Sequence, residues 1–524
     1  MAFLPESGAA SSFGMSVQPL RVEALLDHAA RVHPRSTVTT AGAAGTSKSL
    51  SYPELAEAAG HVAVLMQAAG FRPGDRIFLL AHAAAEVLAW TYGAARLGVV
   101  PHFANPGHGA GTLRMQWTKS GARWLLHDAA CEALALECVA GGDEASLRRL
   151  DMASAPALRA GLKEDPRPEG ALALVCYSSG TTGLPKVVAF THRSTVLHAF
   201  ACALPDAMCL ASSDRVMPLV QPFHAAAWAA PFACPLVGAS LVLVPPSAEP
   251  AQWYEWIEVH RVTVLGAVTA QWRMLLAYME QHNLHFSTLR RTVVAGTRMP
   301  PAVATRIVDR LGVEVRQAWG MTETSPLATI GCHGRVRETA HGRPVFGVQV
   351  AVRNWAGTLQ PGGMGELMVR GHWVATPGWN GEWLSTGDLA MVHADGGVEV
   401  VDRLCDVVHG TSGPLSSALV EYEACVQEGV ADAALLAMEG HFPHGVLAWV
   451  ARDGSEPARI VDGLRQRLAT AFDGWNPDRF VRVDALPFTS SAKVRKTQLK
   501  AELLAAGHLS APNPGSGKPA RAPA

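Results

Sequence analysis

The sequence lacks a dominant charge. Its 44 basic and 45 acidic side chains leave a formal net charge of −1, so neither nucleic acid nor an anionic membrane is the expected main partner. It also lacks a disulfide framework and a zinc pattern. The nine cysteines are odd in number, include no CxxC pair, and fit free buried thiols in a reducing compartment. Residues 1–16 have no basic stretch followed by an apolar core, so no secretory leader is read and the cytoplasm is the expected location. No apolar run is long enough for a membrane span. The longest, Val216 to Pro246, is broken by Pro218, Pro222, His224, Pro231 and Pro235 and reads as buried strand, loop, helix and strand. With 49% hydrophobic and 17% charged residues in 524, the chain reads as a globular enzyme of roughly two to four domains.

The small, polar residues 1–16 and the Pro-, Gly- and Ala-rich tail 510–524 are expected to be disordered. Between them, Leu25, Leu26, Ala29 and Val32 share one helix face, and Ser51-Tyr52-Pro53-Glu54 carries a cap and an N1 proline. Arg76 to Leu80 reads as a buried strand, followed by a small-residue helix through Trp90 and Arg96 to Gly98. Strand, helix and turn alternate to about residue 330, the α/β pattern of parallel βαβ layering. Beyond about residue 345 the strands shorten, and His393-Ala394-Asp395-Gly396-Gly397 separates Leu389–Val392 from Val398–Val401 as a hairpin turn. The main domain boundary is placed beside Asp402-Arg403, before a compact α+β segment.

The most informative stretch is Tyr177-Ser178-Ser179-Gly180-Thr181-Thr182-Gly183-Leu184-Pro185-Lys186. It follows the apolar strand Ala171 to Cys176 and packs four hydroxyls, two glycines and a lysine into one loop. Glycines permit close backbone approach, successive N–H groups form an anion nest, and Lys186 adds positive charge, which together suit a polyphosphate. Pro185 before the lysine and Val187 after it exclude a Walker A loop. An ordinary Ser/Thr/Gly surface loop is the bland alternative.

Downstream companions argue against that alternative. Pro222-Phe223-His224-Ala225-Ala226-Ala227-Trp228 comes first; alone, His224 would read as a packed core histidine. Gly296-Thr297-Arg298-Met299-Pro300-Pro301 precedes Gln317-Ala318-Trp319-Gly320-Met321-Thr322-Glu323-Thr324. There, an aromatic ring suits stacking on a base, glycine permits close approach, Thr322 suits a phosphate, and the Glu323 carboxylate suits Mg²⁺. Asp388, in Trp383-Leu384-Ser385-Thr386-Gly387-Asp388, can accept from two ribose hydroxyls, each charge-assisted bond contributing roughly 1.5–3 kcal/mol. Leu486 to Val494 ends in Lys493-Val494. Capping and surface roles are the bland readings for Asp388 and Arg403, and a solvated turn for Glu323. Lys496 and Lys500 are read as solvated surface charges.

In this order the motifs resemble those of the adenylate-forming enzymes: acyl-CoA synthetases, peptide-synthetase adenylation domains and luciferases. The resemblance spans roughly residues 20–505 and is nearest the medium- and long-chain acyl-CoA ligase branch, whose Trp-Gly-Met-Thr-Glu-Thr-Ser-Pro is matched at 319–326. It implies doubly wound α/β subdomains with a β-barrel-like piece, followed by a small mobile α+β lid. The matching boundaries are an AMP-binding region 17–402, a hinge 403–407 and a lid 408–509. It further implies ATP, Mg²⁺ and CoA, with a small-molecule carboxylic acid as substrate and a homodimer as one possible assembly. By resemblance, Ser178, Ser179, Gly180, Thr181, Thr182, Gly183 and Lys186 serve the phosphates. Trp319 and Gly320 serve adenine, Thr322 a phosphate, Glu323 the metal, and Asp388 and Arg403 the ribose. His224 belongs to a Phe-His gate beside the acyl site, and Lys493 is the catalytic lysine of adenylation.

The chain departs from the family pattern at the lid entry. The branch usually reads Asp-Arg-x-Lys-Asp-x-Ile-x-Ser-Gly-Gly-Glu-Trp, whereas here Cys405 stands at the hinge and Thr411-Ser412-Gly413-Pro414 replaces Gly-Gly-Glu-Trp. Glu439 to Gly445 also lacks the usual Gly-Glu. Cys405 is expected to tend towards burial, and Pro414 to stiffen the loop that lines the pantetheine channel. Transfer to CoA is therefore the expected altered step. Delivery to an acyl carrier protein or another nucleophile, and a non-catalytic nucleotide- or acyl-binding role, are the rival readings.

Overall fold

A computed structural model describes residues 18–42, 46–140, 146–150, 167–178, 185–246, 249–334, 341–376, 381–411, 413–438, 444–452, 456–488 and 494–509, with Ala226 described by its backbone alone. Among the described residues the strands form five sheets. The first runs, in spatial order, Leu147–Arg149, Trp124–His127, Arg76–Leu80, Val100–Phe103, Leu172–Tyr177 and Val187–Thr191. Neighbours pair in parallel except the last two, which form an antiparallel pair with Tyr177 opposite Val187. The second sheet has nine strands. Its interior is parallel from Thr37–Thr40 through Ser240–Leu243, Arg215–Pro218, Val264–Val268 and Arg291–Ala295 to Glu314–Trp319. Antiparallel strands finish both edges. Such parallel strands are buried on both faces, which is why Val264–Val268 is buried throughout and reads as an unbroken apolar run.

Helices cover these sheets. Tyr52–Ala68 starts at a capping box between Ser51 and Glu54, and Ala85–Leu97 stops at Gly98, whose φ of +78° suits glycine. The two pack closely enough that a Cβ on Gly93 would lie 2.7 Å from the Ala59 carbonyl oxygen. In Val22–Val32 the stripe of Leu25, Leu26 and Ala29 is buried together with Val22, but Val32 is 56% exposed. At 100° per residue Val32 falls roughly 70° off the stripe's centre, so the expectation fails at that residue. The Val216–Pro246 stretch is strand, helix and strand as read, with Ala230–Val237 largely buried.

The expected barrel-like piece is a five-stranded antiparallel sheet, ordered Leu359–Gln360, Val348–Arg353, Gly363–Gly371, Leu384–Val392 and Val398–Arg403. Its last hairpin turns where the sequence places it, with Val392 opposite Val398. The C-terminal region holds a three-stranded sheet, Val430–Leu436, Val446–Ala451 and Arg479–Val483, packed through Leu435, Trp449, Val420, Leu464 and Leu468. A hairpin pairs Val408–Gly410 with Gly413–Leu415, setting Pro414 opposite His409. No helix of the described residues is long and apolar enough to cross a membrane.

Two expectations are overturned here. Lys496 is no solvated charge: its Nζ lies 2.7 Å from Ser417 Oγ and 3.0 Å from Glu421 Oε1, and burial is offset by Glu421, Asp402 and Asp406, which hold the ammonium above its ordinary pKa. Carboxylates from distant segments converge on it. Cys405 is exposed rather than buried, because it sits in a tight turn closed by the Asp406 N–H bond to Arg403 O.

Candidate active site

The hydroxyl-rich loop springs from the antiparallel pair at the edge of the first sheet. Its mouth is fastened twice: the Ser178 N–H donates to Lys186 O at 2.9 Å, and the Lys186 N–H donates to Ser178 Oγ at 3.1 Å. Lys186 is exposed. Ser179, Gly180, Thr181, Thr182 and Gly183 lie outside the described residues. Beneath the loop, the Tyr177 hydroxyl lies 3.0 Å from His102 Nδ1. Burial lowers His102 to about 4 and raises Tyr177, so the support under this loop is uncharged at neutral pH.

Trp319 ends a buried strand of the second sheet, and Asp388 lies in the antiparallel sheet. The two meet: Trp319 Nε1 donates to Asp388 Oδ2 at 3.0 Å. Arg403 stands opposite Asp388 in strand register, with its Nε 3.1 Å from Asp388 Oδ1 and its Nη1 donating to Thr386 O at 2.9 Å. Thr386 Oγ1 in turn accepts from the Asp388 N–H at 3.1 Å. A carboxylate only 4% exposed is thus oriented from both sides by an indole and a guanidinium.

Gly320 follows Trp319, and a Cβ there would lie 1.4 Å from the Pro326 carbonyl oxygen, so the turn closes only with glycine. The turn carries Thr322–Thr324 as a 3₁₀ segment, with Glu323 buried and Thr322 half-buried. The Ala375 N–H donates to Glu323 O at 2.8 Å, tying this turn to the antiparallel sheet. A carboxylate beside a hydroxyl is a hard oxygen donor set, which fits Mg²⁺. Arg298, from the Gly296-to-Pro301 motif, donates to Glu399 Oε1 at 2.9 Å and fixes the same two sheets together.

His224 is half-buried, with its ring 4.8 Å from that of Phe223 in an edge-to-face contact. After it, Ala225, Ala227, Trp228 and Ala229 all have positive φ, between 42° and 66°. Such a run of non-glycine residues stores on the order of 1–3 kcal/mol each and marks functional segments. It forms one wall of a narrow cavity bounded by Leu174, Phe190, Ala225, Ala229, Phe232 and His198. Burial lowers His198 to about 3, so this wall is uncharged at neutral pH. Trp228 lies over Gly266, 3.9 Å from where a Cβ would stand.

Lys493 lies outside the described residues. The base of its loop is closed by Phe488 pairing with Val494 and by the Arg495 N–H donating to Pro487 O at 2.7 Å. Burial, and after it the charge of Arg495, lowers the pKa of His108 in the N-terminal region. The Arg273 guanidinium also lies 6.0 Å from the Tyr422 ring.

The sequence reading missed a network around Asp402. Its Oδ1 accepts from the Arg403 N–H at 2.8 Å and its Oδ2 from the Ser417 N–H at 2.7 Å, and Lys496 and Glu421 complete it. Periodicity gives no signal for such a cluster. Glu421 within Ser417–Val426 and Lys496 at the start of Lys496–Ala505 were the only hint.

A model of the AMP-binding enzyme family matches residues 26–377. The chain is 31% identical over 540 residues to the 3-methylmercaptopropionyl-CoA ligase of Ruegeria pomeroyi, covering 93% of this chain and 98% of that one. It is 30% identical to the long-chain-fatty-acid–CoA ligase of Thermus thermophilus, covering 93% and 96%. A crystal structure of an anthranilate CoA ligase in complex with anthranoyl-AMP superposes with a TM-score of 0.83 over 96% of this chain and 100% of that one, at 21% identity, which shows the shared fold. By the family match and its full-length relatives, this chain belongs to the AMP-binding enzyme family, among relatives named as acyl-CoA ligases.

Proposed function

We propose that the protein uses ATP to activate an apolar, fatty-type carboxylic acid and then joins it to the thiol of CoA. The observation that carries this reading is the convergence of Trp319 and Arg403 on the buried Asp388 carboxylate, in a chain of the AMP-binding family. In this reading the acid's carboxylate oxygen attacks the α-phosphate of ATP. A new O–P bond forms, the α–β bridge breaks, and acyl-AMP and pyrophosphate result. The thiol then attacks the acyl carbonyl and AMP leaves.

Asp388 and Arg403 would bind the ribose, Trp319 and Gly320 would face adenine, and Ser178, Thr181, Thr182 and Lys186 would hold the departing phosphates. Thr322 would donate to a phosphate, and Glu323 would hold Mg²⁺, which when bound offsets phosphate charge. Lys493 would bridge the carboxylate and the α-phosphate as charge develops. His224 and Phe223 would separate the acyl cavity from the reacting atoms, with residues 403–407 as the hinge of a C-terminal lid.

An apolar acid matches the largely apolar lining of Leu174, Phe190 and Phe232, the neutral His198 and the indole of Trp228, although the cavity, at about 10 Å³, must widen to admit an acyl chain. The names of the two relatives, one a sulfur-containing short acid and one a long fatty acid, fall in the same class. Each buried CH₂ contributes about 0.8 kcal/mol, so activity should climb with chain length until the cavity fills. The test is acid-dependent exchange of labelled pyrophosphate into ATP across straight-chain, aryl and α-amino acids. Exchange led by acetate or by α-amino acids would reject the reading.

One observation favours a second acceptor. Pro414 is locked opposite His409 in the hairpin where relatives of this branch usually carry a flexible Gly-Gly. If the adenylate persists when CoA is added and is discharged by an acyl carrier protein, that acceptor replaces CoA.

A further inference from the structure

Away from the residues assigned above, His82, Asp128 and Cys131 place a nitrogen, an oxygen and a sulfur within 4.8 Å of one another. His82 follows the strand Arg76–Leu80, while Asp128 and Cys131 follow its parallel neighbour Trp124–His127. Three side chains from two loops thus meet at the carboxyl ends of adjacent strands. We propose that this cluster is a binding site for a thiophilic divalent transition metal of the Zn²⁺ class.

The geometry is close to a metal's requirement. His82 Nδ1 lies 2.8 Å from Asp128 Oδ2 and 3.8 Å from Cys131 Sγ. Tetrahedral Zn²⁺ with bonds of about 2.0–2.3 Å separates its ligands by about 3.3–3.6 Å. The Nδ1–Oδ2 pair must open by roughly half an ångström on that basis, while the Asp128 oxygen and the Cys131 sulfur lie within 4.8 Å of each other. Asp128 is already held in place: its Oδ2 accepts from the His82 N–H at 2.8 Å and its Oδ1 from the Cys131 N–H at 2.8 Å. The His82 and Asp128 side chains are 22% and 26% exposed, whereas Cys131 is 2% exposed. Sulfur therefore forms the floor, and the mouth is open to a water as fourth ligand.

The cluster does not suit a nucleophilic thiol. Burial, and after it the Asp128 carboxylate, pushes the Cys131 thiol far above its ordinary range. Burial raises Asp128 too, but the bonds from His82 and Cys131 outweigh it and hold the carboxyl at about 2. One ring nitrogen, Nδ1, faces both partners, so the imidazole cannot relay a proton between them. A divalent ion changes the balance: the thiol proton leaves to solvent, the ring proton that Nδ1 shares with Asp128 shifts to Nε2 so that Nδ1 can ligate, and carboxylate plus thiolate neutralise the two charges. The sulfur ligand discriminates against Mg²⁺ and Ca²⁺, which separates this site from Glu323. The Ala83 N–H donates to Gln221 Oε1 at 2.8 Å, so the ion would brace the segment leading into Phe223 and His224.

The test uses the full-length, reduced protein without ATP, titrated with Co²⁺ as a spectroscopic probe. Binding of about one ion per chain, with a thiolate-to-cobalt charge-transfer band and release of one proton, is expected. Zn²⁺ should abolish the band by displacement. Cys131→Ser should remove the band and His82→Gln should lower affinity at least about tenfold, the range for losing a metal-site partner. Cys405→Ser, at the exposed cysteine, should change neither. Native mass spectrometry reads the stoichiometry, and far-UV circular dichroism checks that each variant is folded. No band in the wild type, a band that survives both folded site variants, or one lost with Cys405→Ser would overturn the site. If Cys131→Ser does not fold, His82→Gln and the Co²⁺ stoichiometry of the wild type decide it.

Discussion

The indole N–H of Trp319 donates to Asp388 Oδ2 at 3.0 Å. The tryptophan therefore does more than present a flat ring, because it also aims the carboxylate that Arg403 holds from the other side. Trp319→Phe keeps a ring and deletes the donor to a buried charge, a bond contributing about 1.5–3 kcal/mol. The expected result is a fall of about 10–100-fold in kcat/KM for ATP in pyrophosphate exchange. Wild-type kinetics in a folded Trp319→Phe variant would show that the indole donor has no part in positioning Asp388.

Lys493→Ala should slow acyl-AMP formation by about 10²–10³-fold, the loss typical of one preorganised charge. Thioester formation from chemically supplied acyl-AMP should be affected far less. Quenched-flow measurement of each half-reaction separates the two. Equal slowing of both steps would assign Lys493 to general binding or to the fold.

What was legible in the sequence was what periodicity and punctuation encode. The buried strand Arg76–Leu80, the Ser51 cap and the hairpin at 393–397 were all readable because each depends on residues close in sequence. The motif order around Trp319 and Asp388 pointed to one site, but the direct indole–carboxylate bond joins residues 69 apart and has no local trace. Lys496 was misread for the same reason: a lone lysine looks solvated until Glu421 and Asp402 are brought to it. Cys405 was misread because small thiols are usually buried, whereas here a backbone turn sets the exposure.

Acid should destabilise the protein well before its carboxylates protonate. Burial lowers His198 and His341 to about 3, and burial with the charges of Arg167 and Arg21 does the same for His192. These pKa values are depressed relative to about 6.5 in the unfolded chain. The unfolded state therefore binds more protons below that value, so the stabilisation is complete above about pH 6.5 and is lost as pH falls from there towards about 3. At pH 5 each such histidine costs on the order of 2 kcal/mol. Thermal melts should show a steep fall in Tm between pH 7 and 5, and His198→Gln should flatten it. A Tm independent of pH across that range would mean that these imidazoles are not buried neutral.

Lys496 holds the C-terminal region to the end of the antiparallel sheet. Its ammonium meets Ser417 and Glu421 while Asp402 accepts from the Ser417 N–H, so the strand ending at Arg403 and the helices Ser417–Val426 and Lys496–Ala505 share one charged cluster. Burial raises both carboxyls, and Lys496 is the main charge opposing it in each. Removing the lysine would leave two acids crowded without a counter-charge. Lys496→Met should therefore destabilise the region by about 3 kcal/mol, the lower end for breaking a buried pair, because both partners are partly exposed. Lys496→Arg should recover most of that loss, since a guanidinium can still reach both acids. Urea unfolding followed by Trp449 and Trp475 fluorescence, with the other tryptophans replaced, reads the C-terminal region directly. Unchanged midpoints in Lys496→Met would mean that water already solvates this cluster, and the tie between strand and helices would have to come from apolar packing alone.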